Sequence, residues 1–259
     1  MTTFFQNFLI IGQDGLHLIA TAVLPVLFPF FVLTSLILNL TTVTHPWFVS
    51  LLAYCSGYPN GARLTQNLYE QQRITLPQAH KLLITTSTPS PMFVITTAGI
   101  VFLNDIKLGA IIFLCSVLAA IINGYLWQIQ SIQATQIKIH NLPPVQSKSF
   151  ITVFSSALTS ATNAILNVSG IVLFFYILTH ILNLPPFASG LLEMTTGVAA
   201  TINPLLIQFF VTFGGLSVAM QQQIFMQNFH IKLSTYCAYK LTHAILACGL
   251  LALYLLLLN

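Results

Sequence analysis

FFVLTSLILNL, residues 30–40, and FFYILTHILNL, residues 174–184, are two versions of one apolar segment. Laid on each other without gaps they share the identical pairs Phe30/Phe174, Phe31/Phe175, Ile37/Ile181, Leu38/Leu182, Asn39/Asn183 and Leu40/Leu184. Chance matches are common between apolar segments, so these identities alone are only suggestive. The order of the segments that follow each copy strengthens the case for an internal repeat. Each copy leads to a proline-containing turn, a short segment bracketed by glycines, and a long segment broken in its middle, which together predict an internal repeat.

The broken and short segments lie at matching places in the two halves. The breaks are TTSTPSP at 85–91, which has no large apolar side chain, and GGLS at 214–217. The short segments are the apolar run 47–54 and the run 187–198. Neither is long enough to cross a hydrocarbon core of about 30 Å. Paired short or Gly/Pro-interrupted segments of this kind indicate the binding site of a transporter.

The composition places most of the surface in contact with lipid. Of 259 residues, 56% are hydrophobic and 5% are charged, whereas a soluble domain carries roughly 25% charged residues. At about 20 apolar residues per span, the chain has room for roughly six to eight membrane-embedded segments. The basic residues behind the net charge of +4 are scattered singly. We therefore expect the lipid bilayer, and no nucleic acid, as a partner.

Long apolar runs divide the chain into two halves around a polar stretch. Spans are predicted at 16–40, 81–103, 108–129, 170–184 and 236–258, with a separate, weakly amphipathic run at 150–164. The longest polar stretch, 130–149, carries the Pro143-Pro144 pair and is typical of a cytoplasmic linker. Repeat 1 is therefore expected at 1–129 and repeat 2 at 150–259.

The placement of charges favours two halves that run in opposite directions. If segments 47–73 and 187–204 are re-entrant hairpins, one face of the membrane collects Arg73, Lys81, Lys138, Lys148 and Lys232. The opposite face then keeps both termini with Asp14, Asp105 and Lys107, which gives a positive-inside bias. If the short segments cross fully, Lys232 moves to the other face and the repeats become parallel. We prefer the hairpins. The predicted fold is an all-α polytopic membrane protein with two inverted repeats, each with a short re-entrant hairpin and a broken transmembrane helix.

Four motifs, ordered and spaced over most of the chain, resemble those of a known family. They are SGYPNGAR (56–63), TSTPSP (86–91), GLLEMTTG (190–197) and FGGLSV (213–218). In them the chain resembles the YlbJ-type sporulation integral membrane proteins. These belong to the wider nucleoside-recognition, or Gate, superfamily, which includes spore maturation proteins, the membrane part of ferrous iron transporters and relatives of concentrative nucleoside transporters. The chain departs from the family pattern at Thr86-Ser87, where that pattern has Asn, and it is shorter than typical relatives.

The resemblance implies a multi-pass protein of the bacterial cell membrane that transports a small polar or anionic metabolite. The implied solute is either nucleoside-like or a carboxylate or dicarboxylate such as dipicolinate. The two classes stay open at this point, because the motifs do not distinguish them.

Arg63 and Glu193 are charged residues at roughly corresponding places beside the two short segments. An intramembrane charge is by default a functional hypothesis, and the guanidinium fork of Arg63 suits a carboxylate. Alternatively, Arg63 lies at the headgroup boundary and snorkels. Glu193 could bind a coupling Na⁺ or carry a proton. It could equally pair with Arg63 and serve packing.

The other candidate residues for binding solute or ion lie in the same motifs. They are Gly57, Tyr58, Pro59, Asn60, Gly61, Ser87, Thr88, Ser90, Thr195 and Ser217. Hydroxyls beside broken helices suit coordination of a cation or polar solute, or satisfy backbone groups freed by the break. The glycines and Pro59 allow tight turns and close backbone approach. Asn60 is placed to cap the helix that begins there.

These features favour a secondary transporter or facilitator for a small-molecule solute. The sequence has no P-loop, so energy would come from a Na⁺ or H⁺ gradient or from a partner. No cofactor, metal-ligand spacing or hydrolase motif is evident, so we do not expect an enzyme. The alternative is a non-transporting scaffold in envelope or spore assembly. The apolar faces fit either lipid contact or a homo-oligomer interface.

Overall fold

The structure, a computed structural model, describes residues 2–40, 46–130 and 149–257, and within these ranges every element is a helix. The first half contains α1 (Thr2–Leu18), a π-helical turn (Ile19–Val23), α2 (Leu24–Leu40), α3 (Pro46–Ser56), α4 (Asn60–Glu70), α5 (Leu76–Thr86), a π-helix (Met92–Phe102) and α6 (Ile106–Gln130). The second half contains α7 (Phe150–Leu182), α8 (Pro186–Leu192), α9 (Met194–Ala199), α10 (Pro204–Phe213), α11 (Gly215–Met226), a 3₁₀ turn (Gln227–Phe229) and α12 (Leu233–Leu257).

The two halves present the same order of elements. Each has a long first helix, a pair of short helices, a helix broken in its middle and a long last helix. Among the described residues, the segments long and apolar enough to cross a membrane are Ile106–Trp127, Phe150–Leu182, Pro204–Phe229 and Leu233–Leu257; the bent pair Phe8–Thr21 and Leu24–Leu40 makes a fifth. The predicted all-α polytopic membrane class is confirmed. The inverted relation of the halves stays a prediction. Most of the predicted linker, 130–149, lies outside the described residues.

The first long helix is bent by 45° between its two parts. Pro25 and Pro29 predict a kink, because proline lacks an N–H and its ring clashes with the preceding turn. The structure places the bend at Ile19–Val23, just before Pro25, while Pro29 lies within α2. A π-helical turn of this kind is a usual cause of a kink.

The helix α7 is one continuous element where the sequence predicted two runs. It extends from Phe150 to Leu182 and includes residues 165–169, which lie between the predicted runs 150–164 and 170–184. None of these is proline, so nothing removes a backbone hydrogen bond from the helix. Gly170 faces open space. The gap between the two predicted runs is therefore not a break in the helix.

The two helix breaks are narrower than the sequence suggested. The first comprises Ser87–Pro91, because α5 continues to Thr86. The second is at Gly214, in the left-handed conformation with φ 83°, followed by Gly215 with φ 73°, and Ser217 already lies within α11. The Gly214 N–H still donates to Phe210 O at 2.8 Å. A left-handed glycine ends one helix and lets the next begin at once.

Corresponding elements of the two halves pack against each other. The first long helices α2 and α7 are neighbours, and so are the last helices α6 and α12. Small residues allow close contact; a Cβ on Gly99 of the π-helix would lie 2.8 Å from Gly109 Cα on α6. Helices in a membrane associate through such close packing, because lipid tails are as apolar as the helices. The result brings both breaks and both short helix pairs to the middle of the bundle.

Candidate functional site

The first short helix pair, α3–α4 with its turn Gly57–Pro59, packs on the first break. Gly57 has φ 73° and lies against the Ser90 backbone. The Tyr58 N–H donates to Thr88 O at 2.8 Å, and a Cβ on Gly61 would lie 2.5 Å from Thr86 O. The predicted close backbone approach of the two glycines is therefore present. These contacts hold the turn Gly57–Pro59 against the unwound segment of the first broken helix.

The second short helix pair, α8–α9, reverses its direction at Glu193. Gly190 of α8 and Gly197 of α9 lie in backbone contact, so the two helices fold back on each other. The carbonyl oxygens of Gly190, Leu191 and Leu192 each lie 3.1 Å from where a Cβ of Gly215 would be. This pair thus packs on the break that comes after it, as the first pair does.

The two pairs meet at their tips. The Tyr58 hydroxyl contacts Met194 Sδ and donates to Val211 O at 3.0 Å. Tyr58 belongs to the first pair, and Met194 follows the reversal of the second. A single buried side chain therefore links both pairs to the second broken helix.

A cavity of about 310 Å³ lies beside this junction. Its walls come from both halves: Tyr58 at the first tip, Pro89 and Ser90 at the first break, Glu193, Met194 and Thr195 at the second tip, and Gln221 on α11. The bent first helix contributes Thr21 and Val23, the π-helix Thr96 and Thr97, and α7 Val168 and Val172. The volume suits a small metabolite, and the lining combines apolar surface with a few convergent polar groups, as ligand sites do.

Glu193 is the acid in this lining, and it is 3% exposed. Its Oε2 accepts hydrogen bonds from Thr196 N at 2.8 Å and Thr196 Oγ1 at 3.0 Å, so the residue caps α9. In the described part of the chain, no Lys or Arg is among its hydrogen-bond partners. The cap holds one carboxylate oxygen and leaves the other for a ligand in the cavity.

Arg63 is buried away from the cavity. It donates to Phe31 O at 2.9 Å, Ser35 Oγ at 2.7 Å and Ser160 Oγ at 2.9 Å. Its guanidinium carbon lies 4.9 Å from the centroid of the Phe31 ring. The structure therefore brings Arg63 to α2 and α7, and not to Glu193.

Ser87 belongs to a polar cluster next to Tyr58, and sequence reasoning missed this cluster. Ser87 Oγ accepts from Gln222 Nε2 at 2.6 Å and shares a 2.8 Å hydrogen bond with the Tyr236 hydroxyl. Lys240 Nζ donates to Ser87 O at 2.7 Å. The available signal was Lys240 itself, a lone lysine within the apolar span 236–258.

The remaining predicted residues do not line the cavity themselves. Thr88 and Pro59 are buried, and Ser217 Oγ accepts from Gln221 Nε2 at 3.2 Å. Asn60 does not cap α4: it is the first residue of that helix, Pro59 takes the cap position, and the Asn60 amide donates to Ser56 Oγ at 2.8 Å. Proline's fixed φ suits entry into the helix, which leaves Asn60 one position late for capping.

Comparison with known proteins finds a distant sequence similarity. An alignment with the sporulation integral membrane protein YlbJ of Bacillus subtilis (strain 168) covers 81% of this chain and 68% of that protein, at 22% identity over 278 residues. The chain is a distant relative of the YlbJ-type proteins. The resemblance inferred from the motifs is thereby confirmed. No protein-family model and no solved structure matches the chain.

The chain is a multi-pass membrane protein: its similarity to an integral membrane protein agrees with its long apolar helices. Within the described ranges, no group of three or more His, Cys, Asp or Glu residues could hold a metal ion. The polar groups described at the cavity and around Ser87 are hydroxyl, amide, carboxylate and ammonium groups.

Proposed function

We propose that this chain is a secondary transporter or facilitator that binds a small polar metabolite in the central cavity. The observation that carries the proposal is the meeting of both helix-pair tips and the first break around one cavity of about 310 Å³. Non-helical backbone is tolerated at membrane depth where it is buried in protein or lines a cavity. In many transporters such broken helices form the solute site at the repeat interface.

The lining favours a solute rich in hydrogen-bond donors. Glu193 offers a carboxylate oxygen, and Ser90, Thr195 and Gln221 offer neutral polar groups. A nucleoside-like solute matches this set with its hydroxyl and N–H groups. A dicarboxylate would bring negative charge next to Glu193, which is costly unless a proton or cation neutralises one partner.

Ligand-dependent stability tests the proposal. The melting temperature of the purified protein would be measured against nucleosides, monocarboxylates and dicarboxylates. A solute at 100 times its Kd should add roughly 2.7 kcal/mol to the free energy of unfolding. Glu193→Gln keeps an oxygen for the α9 cap and should weaken a nucleoside-like ligand by roughly 10- to 100-fold in Kd. The same change should strengthen binding of a dicarboxylate, so the sign identifies the solute class.

Asp105→Asn is the matched control, because it removes an exposed acid that caps α6 far from the cavity. It should leave every ligand response unchanged. If no solute stabilises the protein and Glu193→Gln behaves like the parent, the transporter proposal is wrong and the scaffold alternative takes its place.

A further inference from the structure

Lys240 is a buried cation whose described contacts include no carboxylate. It lies on α12 and is 2% exposed. Its ammonium donates to Ser87 O and lies 5.5 Å from the centroid of the Tyr58 ring. A lysine inside a membrane protein is costly, and where it occurs it is usually functional. The contact with Ser87, at the first helix break, indicates the role of Lys240.

Ser87 is the first residue after α5, so Lys240 binds the chain where a half-helix ends. The carbonyl groups of the last helical turn lack donors within the helix, and the C-terminal end of a helix carries partial negative charge. In transporters with broken helices, unwound carbonyls and the C-terminal ends of half-helices coordinate Na⁺ or H⁺. The ammonium of Lys240 occupies the corresponding place at this break.

The groups around Lys240 are those that bind a hard monovalent cation. Ser87 contributes its carbonyl oxygen, and its Oγ is held in place by Gln222 and Tyr236. Thr88, the residue after Ser87, and Gln222, which donates to Ser87, each carry a further buried oxygen, Thr88 Oγ1 and Gln222 Oε1, and each of these lacks a hydrogen-bond partner within the described structure. Hard cations prefer carbonyl, hydroxyl and amide oxygens. The cluster therefore holds more acceptor oxygens than its donors use.

A second cavity lies beside Lys240. Lys240 and Tyr236 line this cavity of about 210 Å³, whose other walls are mostly apolar and come from α8, α10, α11 and α12. It leaves space next to the Lys240 side chain.

We infer that Lys240 is a tethered substitute for a coupling sodium ion at the first break. Its ammonium neutralises the end of α5, so this break needs no bound Na⁺ to keep its shape. The part of the inference that concerns ion coupling rests on the proposed transport function. The ion response that it predicts concerns the folded protein alone and requires no solute.

The experiment replaces the ammonium and asks whether sodium takes its place. Lys240→Met keeps the length of the side chain and removes the charge. The melting temperature of parent and variant would be measured in NaCl, KCl and choline chloride at equal ionic strength. The parent should melt at the same temperature in all three salts. Lys240→Met should melt lower in choline and regain at least about 5 °C in NaCl, saturably.

Two further variants make the result decisive. Lys240→Arg keeps a cation and should stay insensitive to sodium. Lys107→Met removes an exposed lysine at the start of α6 and should behave like the parent. A parent that is itself stabilised by sodium would overturn the inference, as would a Lys240→Met protein that melts equally in all salts. A variant that cannot be folded even when purified in NaCl throughout would overturn it too. The transport proposal would still be tested separately by the solute panel.

Discussion

Arg63 shows how a cation can be buried in this bundle without an acid. Its two terminal nitrogens reach a main-chain carbonyl on α2 and one serine hydroxyl on each of α2 and α7. The ring of Phe31 covers one face of the guanidinium at 4.9 Å, a cation–π contact. Each partner is neutral, and together they replace the water that the guanidinium loses. Arg63 thus ties the first helix pair to the first long helices of both halves.

This arrangement predicts separate effects on stability and on binding. Arg63→Met should lower the free energy of unfolding by about 2–4 kcal/mol, because several hydrogen bonds to a charged group are lost. The stabilisation that a bound solute gives to the remaining folded protein should be unchanged, since Arg63 does not line the cavity. Thermal melting in detergent with and without the solute measures both quantities.

Ser35→Ala is the graded control for Arg63. It removes one of the three acceptors and should cost only about 1 kcal/mol. If Arg63→Met instead abolishes the solute response while the protein melts like the parent, the guanidinium is part of the binding site and the positional argument is wrong.

At the residue scale, the sequence predicted which charged groups are buried better than it predicted what they face. Arg63 and Glu193 were singled out as intramembrane charges, and both are buried. Their partners depend on which side of a helix meets which neighbour, and no single-chain pattern fixes that rotation. Lys240 was missed, although it is a lone lysine within the predicted span 236–258.

At the element scale, glycines decide how closely the short helices approach their neighbours. A Cβ on Gly197 would overlap the Cα of Gly190, and it would lie 3.1 Å from the Phe210 ring. The reversal at Glu193 therefore depends on two facing glycines. By contrast, Gly170 of α7 has no atom within 4 Å of where its Cβ would be.

Gly197→Ala should destabilise the protein, and Gly170→Ala should not. The first change forces α8 and α9 apart and should cost about 1–3 kcal/mol, as overpacking does. The second places a methyl group in open space on a helix, where alanine is preferred to glycine by roughly 0.5–1 kcal/mol. Melting temperatures of the two variants measure the difference. Equal effects would mean that the contact between Gly190 and Gly197 does not hold the pair together.

The helix breaks could be predicted from the sequence because proline and glycine act locally. Pro89 and Pro91 cannot continue a helix through the first break, and Gly214 readily takes the left-handed conformation that ends one. The continuity of α7 and the π-helix over Met92–Phe102 could not be predicted in this way. Both depend on how neighbouring helices support a stretch whose own preference is weak.

At the scale of the whole molecule, the common element order of the two halves supports the repeat, and the charges bear on its direction. Arg73 donates to Leu38 O at 3.1 Å, so the loop after α4 lies beside the end of α2. Two helices of 11 residues, α3 and α4, are each about 16 Å long and cannot cross the core individually. Both observations fit a first pair that enters and leaves on one face.

The inverted arrangement makes one decisive prediction about Lys232. If both short pairs are re-entrant, residue 232 lies on the same face as residue 149, and residue 107 lies on the opposite face. If the short segments cross fully, residue 232 joins residue 107 and the halves run parallel.

All three positions are exposed, so each can report its side. The native cysteines Cys55, Cys115, Cys237 and Cys248 would first be replaced by serine or alanine. Ser149→Cys, Lys232→Cys and Lys107→Cys would then be introduced singly and treated in intact cells with a membrane-impermeant maleimide.

We expect Lys107→Cys to react in intact cells, and Ser149→Cys and Lys232→Cys to react only after permeabilisation, because lysine-rich loops stay on the cytoplasmic side. Reaction of all three after permeabilisation is the control for accessibility. Labelling of Lys232→Cys in intact cells together with Lys107→Cys would contradict the hairpins and require parallel repeats.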